Sequence, residues 1–61
     1  MATVKFKKKE SAGGGLGNFK YTYECTCGSG KKQKDIEVTA ANDNEAKQLA
    51  QMQCDDNCGE N

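Results

Sequence analysis

The sequence contains no histidine and no arginine among its 61 residues. Without histidine, a Ser-His or Cys-His catalytic pair is impossible and a histidine-ligated catalytic metal is excluded. Without arginine, the chain lacks the side chain that dominates base recognition in nucleic-acid-binding proteins. These absences predict that the protein is not an enzyme, and they count against sequence-specific nucleic-acid binding.

Large apolar side chains are also few: the chain has two Phe, two Tyr and no Trp. A chain of this length buries too little apolar surface to be comfortably stable on its core alone. We therefore expect a covalent or metal staple. The residues that would form it are Cys25, Cys27, Cys54 and Cys58.

Long hydrophobic runs are absent as well. The first ten residues, MATVKFKKKE, lack the apolar stretch of a signal peptide, and no run approaches transmembrane length. The sequence therefore predicts a soluble protein with no membrane partner, and it favours the cytoplasm, where cysteines stay reduced or bind metal. A secreted protein that had lost its leader would look the same, so a secreted location is expected if the cysteines are disulfide-bonded.

Regular alternation of polar and apolar residues predicts three β-strands, at about residues 3–9, 18–27 and 34–40. In the second strand the aromatic residues share one face with Cys25 and Cys27. Both thiols are therefore expected to point towards the core, and Tyr21 and Tyr23 are expected to be core residues.

Residues 43–54 follow the helical period instead. Asn42 is the expected N-cap, with Glu45 as its partner three residues later, and Gly59 is the expected stop. Beyond residue 54 the last turn is expected to fray or tighten, because acidic side chains suit a helix C-terminus badly. The side chains expected on the inner stripe, with the last one on its border, are Ala46, Leu49, Ala50 and Met52.

The order of these elements predicts an α+β fold, in which a three-stranded antiparallel β-meander carries one C-terminal α-helix on its aromatic face. Residues 1–61 are expected to form a single small domain, with a flexible glycine-rich loop over residues 11–17. The lengths of the third strand and the helix bring the helix end back to the end of the second strand. All four cysteines are therefore expected at one end of the domain.

Two main interpretations of the cysteines stay open. Four thiolates without histidine would form a closed structural zinc site, although C-x-C with C-x-x-x-C departs from the usual C-x-x-C spacing. Alternatively, strand positions i and i+2 and helix positions i and i+4 have nearly equal spacings, so two parallel disulfides would join Cys25 and Cys27 to Cys54 and Cys58. Free or redox-cycling thiols are a third possibility. The missing signal peptide gives zinc a narrow lead.

A strand C-x-C facing a helical C-x-x-x-C resembles the cysteine-stabilised αβ motif of defensins and scorpion toxins. The resemblance covers the four cysteines alone, the order of helix and strand is reversed, and the third bridge of those families is missing. It therefore implies a shared geometry and no toxin or antimicrobial activity. The spacing is also similar, more loosely, to the zinc-binding redox switch of a family of oxidation-activated heat-shock chaperones, in which C-x-C pairs with a later C-x-x-C.

Charge is distributed unevenly, although the formal net charge is zero. Residues 1–34 carry eight lysines and two acids, whereas residues 35–61 carry one lysine and seven acids. We expect the two halves chiefly to neutralise each other in the folded chain, where they lie within about one Debye length. The lysines of the first half are nevertheless candidate phosphate contacts, and those of the first two strands, Lys9 among them, are expected to line the outer side of the first hairpin. The candidate lysines are Lys5, Lys7, Lys8, Lys9, Lys20, Lys31, Lys32 and Lys34.

These observations predict a small non-enzymatic binding protein with an unknown protein partner and a fold held by its cysteines. The first strand, which is short and rich in lysine, is typical of an exposed edge strand and offers itself to a partner or a second copy by strand addition. The alternatives are a nucleic-acid-binding miniprotein that uses the lysines of the first hairpin, and a disulfide-stabilised secreted peptide.

Overall fold

The computed structural model describes residues 2–11 and 18–59 of the chain. The strands form one antiparallel sheet in the order of the sequence, and the helix packs across one face of that sheet. The predicted α+β meander with a C-terminal helix is therefore confirmed. The elements are β1 (Thr3–Ser11), β2 (Phe19–Thr26), β3 (Ile36–Ala40) and α1 (Asp43–Cys58).

Several element boundaries differ from the expected ones. β1 continues to Ser11 instead of ending at residue 9, and β3 begins at Ile36 rather than at residue 34. β2 is shorter than expected by one residue at each end. Of the loop predicted over residues 11–17, Ser11 belongs to β1 and the remainder lies outside the described residues.

The register between β1 and β2 changes part-way along the pair. Phe6 lies opposite Tyr23, so the first part of β1 keeps its apolar residues on the helix side as expected. A β-bulge between Phe6 and Lys8 then shifts the register, because a bulge inserts one extra residue into one strand. Beyond the bulge Lys9 lies opposite Tyr21, and its side chain is therefore on the helix side of the sheet.

The core lies between the sheet and α1, and the face of β2 is its centre. Tyr21 is 1% exposed and Tyr23 is 5% exposed, which confirms the prediction that both tyrosines are core residues. The other buried core residues are small or aliphatic, so the helix approaches the sheet closely. They are Ala2, Cys25, Ile36, Val38, Ala40, Ala46, Ala50 and Cys54.

Both ends of α1 carry the caps that the sequence predicts. Asn42 Oδ1 accepts a hydrogen bond of 2.9 Å from the N–H of Glu45. At the other end Gly59 has the left-handed conformation (φ 72), and its N–H donates to the carbonyls of Asp55 and Asp56. The helix thus extends one turn beyond its expected limit and stops at the predicted glycine.

The buried stripe of α1 differs from the expected one. It consists of Ala46, Ala50 and Cys54, whereas Leu49 is 39% exposed and Met52 is 69% exposed. The prediction for Leu49 was wrong. Residues four apart form one line along a helix, and the cysteines on that line are bonded to the sheet, so the helix is rotated towards its alanines and away from Leu49.

Candidate functional site

The four cysteines meet at one end of the domain, as the element lengths predicted. Cys25 lies near the end of β2 and Cys27 just after it, while Cys54 and Cys58 lie one turn apart on α1. Disulfides join Cys25 to Cys54 and Cys27 to Cys58, and the Cα atoms are 5.6 Å apart in each pair. Two parallel bridges therefore tie the end of the central strand to the last turns of the helix.

A tight turn after β2 positions Cys27. The N–H of Gly30 donates to the Cys27 carbonyl and the N–H of Cys27 donates to the Lys31 carbonyl, both at 2.8 Å. Gly30 has φ 93, a backbone conformation that is sterically unfavourable for residues with a Cβ atom and is open to glycine. The side chain of Gln33 completes the turn, because its Nε2 donates to Cys27 Sγ at 3.4 Å. The chain therefore turns directly after Cys27.

The two disulfides differ in their accessibility. Cys25 and Cys54 are both 0% exposed, whereas Cys27 is 7% exposed and Cys58 is partly exposed. The Sγ atoms of Cys25, Cys54 and Cys58 all lie within 4.8 Å of one another. Thiolates at this separation form a potential metal-binding group. Cys27, the fourth predicted zinc ligand, is not a member of that three-sulfur group.

The fold and the cysteine cluster can be compared with known proteins. No protein-family model, curated protein or solved structure matches the chain. Within the described residues there is also no helix with the length and apolar character needed to cross a membrane. The function is therefore inferred from the geometry of the chain itself.

The lysine-rich strand β1 lies at the edge of the sheet. It pairs with β2 on one side, and its other side has no strand partner among residues 2–11 and 18–59. Every residue of β1 except Val4 is exposed. An edge strand presents a row of unpaired N–H and C=O groups, so the exposed edge expected from the sequence is present.

Several candidate lysines form ion pairs with carboxylates. Most of these side chains are about half exposed, so each pair contributes little to stability, but together the pairs reduce the positive potential of the first hairpin. The pKa of the Lys7 ammonium group is raised chiefly by its hydrogen bond to Asp35, and the negative charge of that carboxylate adds to the effect. The pairs are Lys7–Asp35 at 2.6 Å, Lys8–Glu10 at 3.6 Å, Lys20–Glu37 at 3.2 Å and Lys32–Glu24 at 3.4 Å.

Lys9 has a different environment from the other lysines of β1. Its Nζ lies 4.1 Å from the centroid of the Phe19 ring and 5.5 Å from that of the Tyr21 ring, which is the geometry of a cation–π interaction. The prediction that it lines the outer side of the first hairpin was wrong, because the bulge in β1 reverses its direction. The remaining candidates are exposed, and they are Lys5, Lys31 and Lys34.

The tyrosines of the core interact with the first turn of α1, a contact that the sequence did not reveal. Burial raises the pKa of Tyr21, and a hydrogen bond to Asp43 and the charge of that carboxylate add to the effect. Burial is also the main cause that raises the pKa of Tyr23, and the charge of Asp43 adds to it. Asp43 therefore links the N-terminus of the helix to the centre of the sheet.

An exposed apolar pair on the outer side of α1 was also missed. Leu49 and Met52 line a shallow depression of about 590 Å³, together with polar residues of the last two turns. The helical pattern placed Leu49 inside, so it gave no indication of this surface. The signal lay in the cysteines, because a helix bonded to the sheet through Cys54 and Cys58 must turn Leu49 and Met52 outwards.

Proposed function

We propose that the protein is a small non-enzymatic interaction module that binds an acidic, extended protein segment along the free edge of β1. The observation that carries this proposal is the position of β1, a nine-residue exposed strand at the edge of the sheet. Strand addition at such an edge gains affinity from main-chain hydrogen bonds and specificity from alternate side chains. No chemistry is required of the module.

The charge of β1 supports an acidic partner. The strand carries four lysines and one glutamate, Glu10. Carboxylates on an added strand would lie opposite these lysines, and opposite charges across a strand pair are favourable. A second copy of β1 in antiparallel pairing would instead bring lysines against lysines. The edge therefore suits an acidic segment better than another copy of itself.

The two disulfides support the role of a rigid scaffold. A segment that docks on β1 gains most when the sheet is already ordered, because less conformational entropy is lost on binding. β1 pairs with β2, and β2 is bonded to α1 next to the ends of both elements. Disulfides of this kind persist in oxidising compartments, and they favour a secreted location over the cytoplasmic one expected from the sequence.

Nucleic-acid binding remains the rival use of the same lysines. The carboxylates that already pair with Lys7, Lys8, Lys20 and Lys32 weaken nucleic-acid binding more than strand addition, because phosphate contacts carry most of the affinity for nucleic acid, whereas an added strand also gains main-chain hydrogen bonds. The absence of arginine points the same way. These observations favour a protein partner, and the binding experiment below separates the two classes.

The probe is a synthetic peptide of alternating glutamate and valine that matches the nine residues of β1, titrated into labelled protein and followed by amide NMR shifts. We expect shifts concentrated on Thr3–Ser11 and slower amide exchange there. Lys5→Gln/Lys8→Gln should weaken binding about three- to tenfold, since an exposed ion pair is worth roughly 0.2–1 kcal/mol. Lys31→Gln/Lys34→Gln is the matched control and should leave the affinity nearly unchanged.

Two results would contradict the proposal. Equal losses in both double variants would indicate diffuse electrostatic attraction rather than strand addition. Tighter binding of a DNA duplex of about 20 base pairs, with affinity that falls steeply as salt rises, would support the nucleic-acid alternative. A peptide methylated on alternate backbone nitrogens keeps its charge but loses the N–H groups that would donate hydrogen bonds to β1. Strand addition therefore predicts that it binds more weakly than the unmethylated peptide.

A second candidate function belongs to the reduced chain, and it is the predicted structural zinc site. The observation in its favour is the three-sulfur group of Cys25, Cys54 and Cys58 within 4.8 Å, with Cys27 bonded to one of its members. Sulfurs around zinc stand roughly 3.8 Å apart, so modest movement would admit the ion. Native mass spectrometry of reduced protein with zinc should show one adduct that acid removes. Absence of the adduct, or an undiminished adduct in Cys27→Ser, would count against a four-thiolate site.

A further inference from the structure

We propose that the Cys27–Cys58 disulfide is a thiol-exchange site that reacts with external dithiols, and that the Cys58 thiol released there exchanges with the Cys25–Cys54 disulfide. This activity is independent of the β1 edge and of zinc. It rests on the different burial of the two bridges and on the three-sulfur group that links them.

Accessibility determines which bridge opens first. Thiol–disulfide exchange requires a thiolate to approach a sulfur atom of the bond. Cys58 is partly exposed, whereas both sulfurs of the other bridge belong to residues that are 0% exposed. Cys27 is the better leaving group of its pair, since Gln33 Nε2 donates a hydrogen bond to its Sγ. A dithiol should therefore attack Cys58 and expel Cys27.

The opening step is a two-electron reduction of the protein. A thiolate of the dithiol bonds to Cys58 Sγ, the Cys27–Cys58 bond breaks, and Cys27 leaves as a thiolate that takes up a proton. The second thiol of the reagent loses its proton and attacks the sulfur bonded to Cys58. That closes the reagent's own disulfide and releases Cys58. The dithiol is oxidised, and two protein thiols are formed.

The second step needs no further reductant. The released Cys58 lies within 4.8 Å of both sulfurs of the remaining bridge. Its thiolate attacks Cys25 Sγ, a Cys25–Cys58 bond forms, and the Cys25–Cys54 bond breaks. Cys54 leaves as a thiolate and takes the proton that Cys58 gave up. The number of disulfides is unchanged, and β2 stays bonded to α1 one turn further along.

The same geometry makes the exchange one-sided. Cys27 is bonded to Cys58 but does not belong to the three-sulfur group. A free thiol at Cys58 is therefore placed to exchange with the buried bridge, and a free thiol at Cys27 is not. This difference provides two variants that lack the same disulfide and differ in the thiol that remains.

The test compares Cys27→Ser with Cys58→Ser. Each variant is held near pH 8.5, close to the ordinary pKa of a thiol, and quenched with acid. It is then unfolded in denaturant, labelled with excess N-ethylmaleimide at about pH 6.5, where thiolate is available but exchange is slow, and sequenced by fragmentation without reduction. In Cys27→Ser we expect the label on Cys54 in at least about one molecule in ten, which corresponds to isomers within about 1.4 kcal/mol of each other. In Cys58→Ser we expect the label on Cys27 alone.

A label confined to Cys58 in the first variant, or equal scrambling in both, would overturn the proposal. Limited reduction of the wild-type chain with dithiothreitol gives a second measurement that does not depend on the variants folding. The first one-disulfide species should carry labels on Cys27 and Cys58, and later samples should carry labels on Cys27 and Cys54. Initial labelling of Cys25 and Cys54 would contradict the order of opening.

Discussion

The Cα atoms of Cys25 and Cys54 lie 5.6 Å apart, although 29 residues separate them in the chain. The same distance separates Cys27 and Cys58, one helical turn further on. Two bonds spaced along one line fix the rotation of α1 as well as its position. They therefore determine which side of the helix is buried, and Ala50, which lies on that line, becomes a core residue.

Removal of either disulfide should destabilise the protein strongly. The bridges close loops of 29 and 31 residues that overlap almost completely. A variant that keeps one bridge therefore keeps the long loop closed, and loss of the other bridge restores only about 2–3 kcal/mol of unfolded-chain entropy in the simplest model. We expect Cys25→Ser/Cys54→Ser to lose more than Cys27→Ser/Cys58→Ser, because the first pair places two hydroxyl groups in a fully buried site. Urea denaturation of both double variants measures the difference. Equal losses of stability in the two double variants would show that the deeper burial of the Cys25–Cys54 site adds nothing to the free energy of unfolding.

The orientation of α1 predicts opposite effects for two neighbouring positions. Ala50 is 0% exposed against the sheet, and Leu49 is 39% exposed. Ala50→Leu should cost about 1–3 kcal/mol through overpacking, whereas Leu49→Ala should cost less than about 1 kcal/mol. Thermal unfolding of the two variants gives the comparison. A larger loss for Leu49→Ala would mean that the helix is rotated towards its leucine.

The fold was largely predictable from the sequence because local patterns and tertiary structure agree over most of the chain. Alternation in β2, for example, placed Tyr21, Tyr23 and both cysteines on the buried face. The cap at Asn42 and the stop at Gly59 are also determined by local hydrogen bonds. The meeting of the cysteines followed from element lengths alone.

Two features could not be predicted because the local signal was missing or was overridden. After Phe6 the sequence continues KKKE, which has no apolar residue to set a register, so nothing revealed the bulge that turns Lys9 towards the rings. In α1 the helical period predicted a buried face that includes Leu49, whereas the buried face of the structure includes Cys54. The disulfides of Cys54 and Cys58 instead hold the cysteine side of the helix against the sheet. The sequence did not decide between zinc and disulfides, so it did not define how these two cysteines orient the helix.

Thr22 offers a position where the protein should become more stable. It lies at the centre of β2, is 2% exposed, and its Oγ1 has no hydrogen-bond partner among the described residues. A buried hydroxyl without a partner costs free energy, so Thr22→Val, which keeps the shape, should stabilise the protein by about 1 kcal/mol. Thr39→Val is the matched control, since Thr39 is exposed and its substitution should change stability little. No gain at Thr22 would imply that its hydroxyl is satisfied in solution.

Alkaline pH should destabilise the protein through its buried tyrosines. Burial and Asp43 hold the pKa of Tyr21 above its ordinary value of 10.0, so the folded chain retains a proton that the unfolded chain releases. Stability from this source is complete below about pH 10 and is lost as pH rises through the folded-state pKa. Lys7 acts in the same direction, which makes Tyr21→Phe the informative variant, because it keeps the ring and the lysine but cannot ionise. We expect wild-type urea midpoints to fall more steeply than those of the variant once the pH rises above about 10. A phenolate absorbance titration should show Tyr21 ionising above its ordinary range, and parallel pH profiles for the two proteins would contradict the assignment.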